Sequence, residues 1–188
     1  MGLRLSGGRR LQSPPGERAR PTAARVRQAV LNLMAADLPG SRWLDLCCGS
    51  GAMACEALQR GASAVVAVDC DRRIAATARA NLEAVGRQLN PAPQLEVHCC
   101  EVLRWLERGR PSQCGGGFDL IYVDPPYAEG LYGPIAAAVA RGGWLRQGGT
   151  LIWECASQAI PAVDPAWICE RQRRYGLSTL MLLRAAGG

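Results

Sequence analysis

Lysine is absent from this 188-residue chain: all 22 basic side chains are arginine, and His98 is the single histidine. A Walker phosphate loop needs its lysine and a pyridoxal enzyme needs a Schiff-base lysine, so both classes are excluded. One histidine leaves little room for acid–base chemistry of the histidine-pair kind. Long apolar runs are missing too, since no stretch approaches the ~18–20 residues of a membrane span. The opening MGLRLSGGRR is basic but lacks the apolar stretch of a signal peptide. These absences predict a soluble, cytoplasmic protein with no membrane partner. Cysteine is plentiful but unpatterned: nine residues (47, 48, 55, 70, 99, 100, 114, 155, 169), two vicinal pairs and no C-x-x-C. Reduced thiols that pack as small buried hydrophobes are expected, and no metal site.

Charge is unevenly placed. Residues 1–27 hold seven arginines (4, 9, 10, 18, 20, 25, 27) against Glu17, and this segment carries the whole formal net charge of +6. The rest of the chain balances, with 15 arginines against 15 acids. Arginine is the side chain whose planar fork pairs with phosphate oxygens, so the segment looks for a polyanion.

The length suits one α/β domain over residues 1–188, with residues 1–20 as a basic N-terminal hairpin or arm and 21–188 as the core. Gly7, Gly8, Pro14, Pro15 and Gly16 mark residues 3–20 as a short hairpin and loop outside the core. Thr22 after Pro21 reads as a helix N-cap, with Val26, Val30, Leu31, Leu33 and Met34 at helical spacing until Pro39-Gly40. From Trp43 short apolar runs alternate with helical stretches: WLDLC, a helix near 51–60, AVVAVD, a helix near 72–86, LEVHC and a short helix near 101–108. FDLIYVD, a helix near 131–141 and GTLIWEC follow. That alternation predicts right-handed βαβ units and a parallel sheet covered on both faces. AWICERQRRYGLSTLMLLR reads instead as two strands about a turn at Tyr175-Gly176, an antiparallel hairpin ending the sheet.

The first strand runs into a glycine loop, WLDLCCGSGAMA, where Gly49 and Gly51 allow a tight turn and close approach to a ligand before a helix. Asp69 closes the next strand twenty residues after Gly49, the position whose carboxylate grips ribose hydroxyls. The loop also fits G-x-G-x-x-A, so a nicotinamide cofactor has to be weighed. Asp45, four residues before Gly49, favours S-adenosyl-L-methionine, because it could meet the cationic amino group of a methionine moiety and would repel a pyrophosphate. Glu101, past the third strand, could accept a hydrogen bond from an adenine amino group. Each acid alone reads more readily as an N-cap or a solvated loop carboxylate. Three at successive strand ends point to a ligand.

The string DPPY, Asp124 to Tyr127, follows the apolar strand FDLIYVD. Two consecutive prolines fix φ and remove two donors, leaving carbonyls free to accept hydrogen bonds. An exocyclic base amino group is a suitable donor. Accepting its protons at the Asp124 carboxylate and the Pro125 carbonyl favours a tetrahedral nitrogen with a usable lone pair, and Pro126 stiffens the turn. Tyr127 offers a ring on which a base can stack, worth ~1–3 kcal/mol per base. The base must come from a loop or be flipped out of its helix.

These residues resemble the RsmD-type methyltransferases, which methylate a guanine N2 of small-subunit ribosomal RNA. The likeness runs through GGRRLQSP (Gly7 to Pro14), RPTAARVRQAVLN (Arg20 to Asn32), LDLCCGSG (Leu44 to Gly51), DPPYAEGLY (Asp124 to Tyr132) and the GGTLIWE strand. It implies a Rossmann-like sheet of seven strands, mostly parallel with helices on both faces, whose last strand is antiparallel. It implies Thr22 near the methionine carboxylate; Asp45, Cys47, Gly49 and Gly51 lining the cofactor; Asp69 on ribose; and Glu101 on adenine. Asp124, Pro125, Pro126 and Tyr127 would bind and activate guanine, while Arg9, Arg10, Arg20, Arg25 and Arg27 would face RNA. The implied partner is ribosomal RNA or the small subunit, bound by a monomer. Cys47-Cys48 stands where Phe-Ala is common, and Glu101 where Asp is usual.

Three other readings stay open on the residues alone: methylation of an adenine N6 or another base amino group in RNA or DNA, a nicotinamide oxidoreductase, and a non-catalytic RNA-binding protein.

Overall fold

The computed structural model describes residues 3–13, 21–110, 116–126 and 130–187, with backbone alone at 21–23. The elements run α1 (Pro21–Leu33), β1 (Arg42–Leu46), α2 (Ala52–Gln59), β2 (Ala64–Asp69), α3 (Arg72–Gly86), β3 (Gln94–Cys99) and α4 (Val102–Glu107). They continue with β4 (Phe118–Val123), α5 (Tyr132–Arg141), β5 (Leu145–Ala156), β6 (Trp167–Tyr175) and β7 (Ser178–Ala185). The sheet order is β3-β2-β1-β4-β5-β7-β6. Strands β1 to β5 pair in parallel, and β7 lies antiparallel between β5 and β6. This is the expected Rossmann-like architecture, with the C-terminal hairpin closing the sheet. Among the described residues no helix is long and apolar enough to cross a membrane.

Apolar side chains leave both faces of the central strands. Trp43, Val65, Ala67, Leu120 and Tyr122 pack against α1, α2 and α3. Leu44, Leu46, Val66, Val68, Ile121 and Val123 pack against α4 and α5. Burial on both sides is why these strands read as unbroken apolar runs. The chain crosses from β1 to β2 in one direction and returns to β4 in the other, so the carboxyl ends of β1 and β4 border a switch point, where open α/β sheets bind ligands.

Three expectations need correction. Helix α1 already includes Pro21, so Thr22 lies inside its first turn and is not the N-cap. Helix α1 ends at Leu33, short of Pro39-Gly40; residues 34–37 form turns in which the Asp37 and Leu38 N–H groups both donate to the Met34 carbonyl. Leu38 is thereby delivered to the core. The arm, expected to lie outside the core, belongs to it. Arg4 and Arg10 form a β-bridge, the Leu5 N–H donates to the Arg9 carbonyl, and Leu3 and Leu5 are buried.

Two buried polar side chains fasten the arm. Glu56 of α2 accepts from the Ser6 N–H and hydroxyl, both at 2.7 Å. Asn81 of α3 accepts from the Gln12 N–H at 2.9 Å and donates to the carbonyls of Gln12 (3.0 Å) and Ser50 (2.9 Å). Each is 2% exposed, so an unpaired amide or carboxylate there would carry the full cost of desolvation.

Candidate active site

Strand β1 ends against the glycine turn. Cys47 leaves the strand at φ +63°, and Gly49 and Gly51 follow at +54° and +73°. A left-handed conformation at a non-glycine residue is uncommon, so neighbouring bonds must hold it. The Cys48 N–H donates to the Val68 carbonyl of β2, and the Gly51 N–H to the Cys48 carbonyl. The two glycines do different work. A Cβ on Gly51 would lie 3.2 Å from the Cβ of Ala78, so bare backbone there lets α3 close on the turn. A Cβ on Gly49 would meet nothing within 4 Å, which leaves open space beside the turn.

Asp45 sits beneath this turn, 1% exposed, and one carboxylate oxygen accepts from the Ala54 N–H in the first turn of α2 at 3.1 Å. Burial pushes its carboxyl up to about 8; the Ala54 N–H opposes the shift and the Asp69 charge adds to it. Asp69, at the end of β2, spans two turns: one oxygen accepts from the Gly49 N–H at 2.9 Å and the other from the Asp71 N–H at 3.0 Å. Burial raises its carboxyl as well, against those N–H groups.

Asp124 follows β4, and its N–H extends the pairing with β1 by donating to the Leu46 carbonyl at 3.4 Å. Its side chain is half-buried, Pro125 is buried and Pro126 is exposed. Among the described residues no backbone N–H donates to the Pro125 carbonyl. The acids converge on Cys47, whose thiol is raised first by burial and then by the charges of Asp69, Asp45 and Asp124. An acid-lined turn in a chain of net charge +6 suits a cationic ligand. The ammonium and sulfonium of S-adenosylmethionine fit this donor set, whereas a pyrophosphate would be repelled.

Other expected site residues have local duties. Glu101 is exposed and caps α4, accepting from the Leu103 N–H at 3.0 Å and the Arg104 N–H at 2.8 Å. Its carboxylate therefore stands at the carboxyl end of β3, already engaged in the capping role weighed against a ligand contact. Arg25 and Arg10 are exposed, and Arg9 donates to the Ala84 carbonyl at 3.1 Å. Arg9, Arg10, Gln12, Arg87 and Gln88 line a groove of about 430 Å³ between the arm and α3.

Arg27 departs from the expected outward set. Its side chain is 12% exposed, donates to the Arg4 carbonyl at 2.9 Å and approaches Glu56 at 3.9 Å, so it ties the arm down. Arg20, Tyr127 and the side chain of Thr22 lie outside the described residues. The thiols also divide: Cys48, Cys55 and Cys155 are buried as expected, but Cys70, Cys99 and Cys169 are exposed.

Sequence reasoning missed a buried acid next to the DPPY strand. The Tyr122 hydroxyl donates to the Glu154 carboxylate, and the Tyr132 hydroxyl to the Glu154 carbonyl. Burial raises the Glu154 carboxyl, opposed by hydrogen bonds from Tyr122 and Ser178 and by the Arg27 charge. An acid inside the apolar run GTLIWEC was the available signal. Glu56 and Asn81 were missed for a related reason, since each interrupts the apolar face of its helix.

A family model described as "Conserved hypothetical protein 95" matches residues 5–184. The ribosomal RNA small subunit methyltransferase D of Escherichia coli strain K12 is 28% identical over 170 residues, 90% of this chain and 81% of that protein. The methyltransferase of the same description from Haemophilus influenzae is 25% identical over 176 residues, 93% of this chain and 88% of that one. The solved structure of yhhF from Escherichia coli superposes with a TM-score of 0.78 at 26% identity, covering 97% of both chains.

Proposed function

We propose, since the chain belongs to the RsmD-type family described as conserved hypothetical protein 95, that it uses S-adenosyl-L-methionine to methylate the exocyclic N2 amino group of a guanine in small-subunit ribosomal RNA. The observation that carries this reading is the meeting of Asp45, Asp69 and Asp124 about the glycine turn, with Asp124 half-buried and Pro126 exposed beside it. Bound there, S-adenosylmethionine supplies a methyl group on a cationic sulfur, an electrophilic carbon. The chain does the rest by placement. Asp45 and Asp69 hold the turn; Asp69 presents negative charge to a cation, and a cation seated there draws the buried Asp45 carboxyl into its ionised form. Asp124 and the Pro125 carbonyl accept the two amino protons of the base, which localises the nitrogen lone pair and orients it toward the methyl group.

As the nitrogen–carbon bond forms and the sulfur–carbon bond breaks, the amino nitrogen becomes cationic. Its surplus proton passes to the Asp124 carboxylate or to water. No covalent intermediate with the protein is needed. Arg9, Arg10, Arg20 and Arg25 meet the RNA in this reading, and Tyr127 stacks on the target base. Adenine N6 methylation would use the same acceptors, so the base is settled by mapping: methylated positions in ribosomal RNA, compared with and without the active protein, should include a guanine N2. A binding assay checks the cofactor. S-adenosylhomocysteine should bind and reduced nicotinamide cofactor should not; the reverse result removes the proposal.

A further inference from the structure

The sequence places all the excess positive charge in the N-terminal segment, but folding brings further arginines onto the same side of the sheet. Strand β6 is the outer edge, and apart from Trp167 and the half-buried Tyr175 its side chains are exposed. Arg171 pairs with Leu182, and Arg173 with Leu180. Both leucines belong to the core beneath α1, α2 and α3, and directly opposed residues of an antiparallel pair share a face. Arg171 and Arg173 therefore project on the α1 side, as does the half-buried Tyr175. Arg25 is exposed on α1, which packs between α2 and the β6–β7 hairpin. None of Arg25, Arg171 and Arg173 has an acidic side chain within salt-bridge distance among the described residues.

The position of these charges relative to the reactive edge follows from strand register. Val123 pairs with Trp153, so Asp124 lies level with Glu154; Glu154 pairs with Leu180, and Leu180 with Arg173. Arg173 is thus in the same row as Asp124, three strand spacings or about 14 Å away. The arm groove lies on the other flank, beside α3.

We propose that Arg171 and Arg173 of β6, with Arg25, form a second contact for the phosphate backbone of RNA, flanking the reactive edge on the side opposite the groove lined by Arg9 and Arg10. This rests on the reading of the chain as an RNA methyltransferase. RNA is the occupant because the patch offers unpaired guanidinium groups in a row, whose chemistry matches phosphate oxygens. A polynucleotide presenting a base at Asp124 must also leave the site on both sides.

The test is binding of a small-subunit ribosomal RNA fragment by the full chain across a salt series, comparing wild type with Arg171→Gln/Arg173→Gln. Loss of two phosphate contacts should lower the slope of log K against log salt by about 1.4–1.8. S-adenosylhomocysteine affinity should be unchanged. Arg108→Gln/Arg141→Gln, an equal charge change on the α4–α5 side, should leave the slope alone. An unchanged slope in the β6 variant, or an equal drop in the control, overturns the proposal. Arginines can instead guard an edge strand against pairing; a β6 variant that self-associates yet keeps the wild-type slope supports that role and overturns this one. If wild type methylates the RNA and the β6 variant keeps its slope, only this inference fails; if wild type neither binds nor methylates it, the proposed function fails with it.

Discussion

The acid-lined turn and the basic arm are both held by buried carboxyl or amide groups, but at very different distances along the chain. At the turn the partners are near in sequence: Asp45 to Ala54, nine residues apart, and Asp69 to Gly49, twenty apart. In the arm Ser6 reaches Glu56 across 50 residues and Gln12 reaches Asn81 across 69. The turn is a local structure made by strand ends and a helix start. The arm exists only once α2 and α3 have been assembled. Damage to the turn should therefore register first in ligand binding and chemistry, and damage to the arm's clasps first in stability.

The largest separation of the two should come from Asp124→Ala. Removing an acceptor aimed at the reacting nitrogen should lower kcat about 10²–10³-fold, comparable with loss of one preorganised transition-state hydrogen bond. S-adenosylhomocysteine affinity, measured by calorimetry, should move little. Equal losses in both would make Asp124 a cofactor ligand.

Asp45→Asn sharpens the same contrast through pH. The unfolded chain ionises this carboxyl near 4, while the folded chain holds the proton up to about 8. Its contribution to stability is therefore complete below pH ~4 and is lost as pH rises toward 8. Thermal unfolding of the ligand-free protein should show Asp45→Asn more stable than wild type at pH 8, on the order of a few kcal/mol, with little difference at pH 4. The same variant should bind S-adenosylhomocysteine more weakly. A stability gain that did not depend on pH would mean the carboxyl is not held neutral by burial.

Asn81→Ala should cost about 1–3 kcal/mol, because it strips the buried Ser50 carbonyl and the Gln12 backbone of their partner. Trypsin should then cleave faster at Arg9 and Arg10, readable by mass spectrometry. Unchanged cleavage would show the arm to be held without Asn81, by the Glu56 clasp, Arg27 and the buried Leu3 and Leu5. The smallest effect belongs to Glu101→Ala: loss of the α4 cap should cost ~1 kcal/mol. Glu101→Asp should restore stability, and cofactor affinity decides whether the carboxylate does anything beyond capping.

Legibility in the sequence followed the same division. Helix α3 lies where the pattern placed it, at 72–86, and the hairpin turns at Tyr175-Gly176, because both depend on nearest neighbours: an Asp71 cap followed by an amphipathic run, and a turn glycine between strands. The glycine turn and the place of Asp124 at the end of β4 were equally plain, since both are written in consecutive residues. What could not be read was pairing at long range. Arg27 counted as one more positive charge in a basic segment, and only the packing of α1 against α2 turns it inward to Glu56. The left-handed backbone of Cys47 was hidden as well, because the residue type favours no such conformation and the bonds from Cys48 and Gly51 impose it.

Asn81 has a consequence for how the molecule could be handled. Its amide grips Gln12 on one side and the Ser50 carbonyl on the other, so the loop between Gly49 and Gly51 is braced from outside the sheet by the first dozen residues. A chain trimmed past Gln12 would keep Asp45, Gly49, Asp69 and Asp124, yet leave the Asn81 amide with Ser50 alone, on a slackened frame. Its weakened ligand affinity would then be misread as a fault in the pocket.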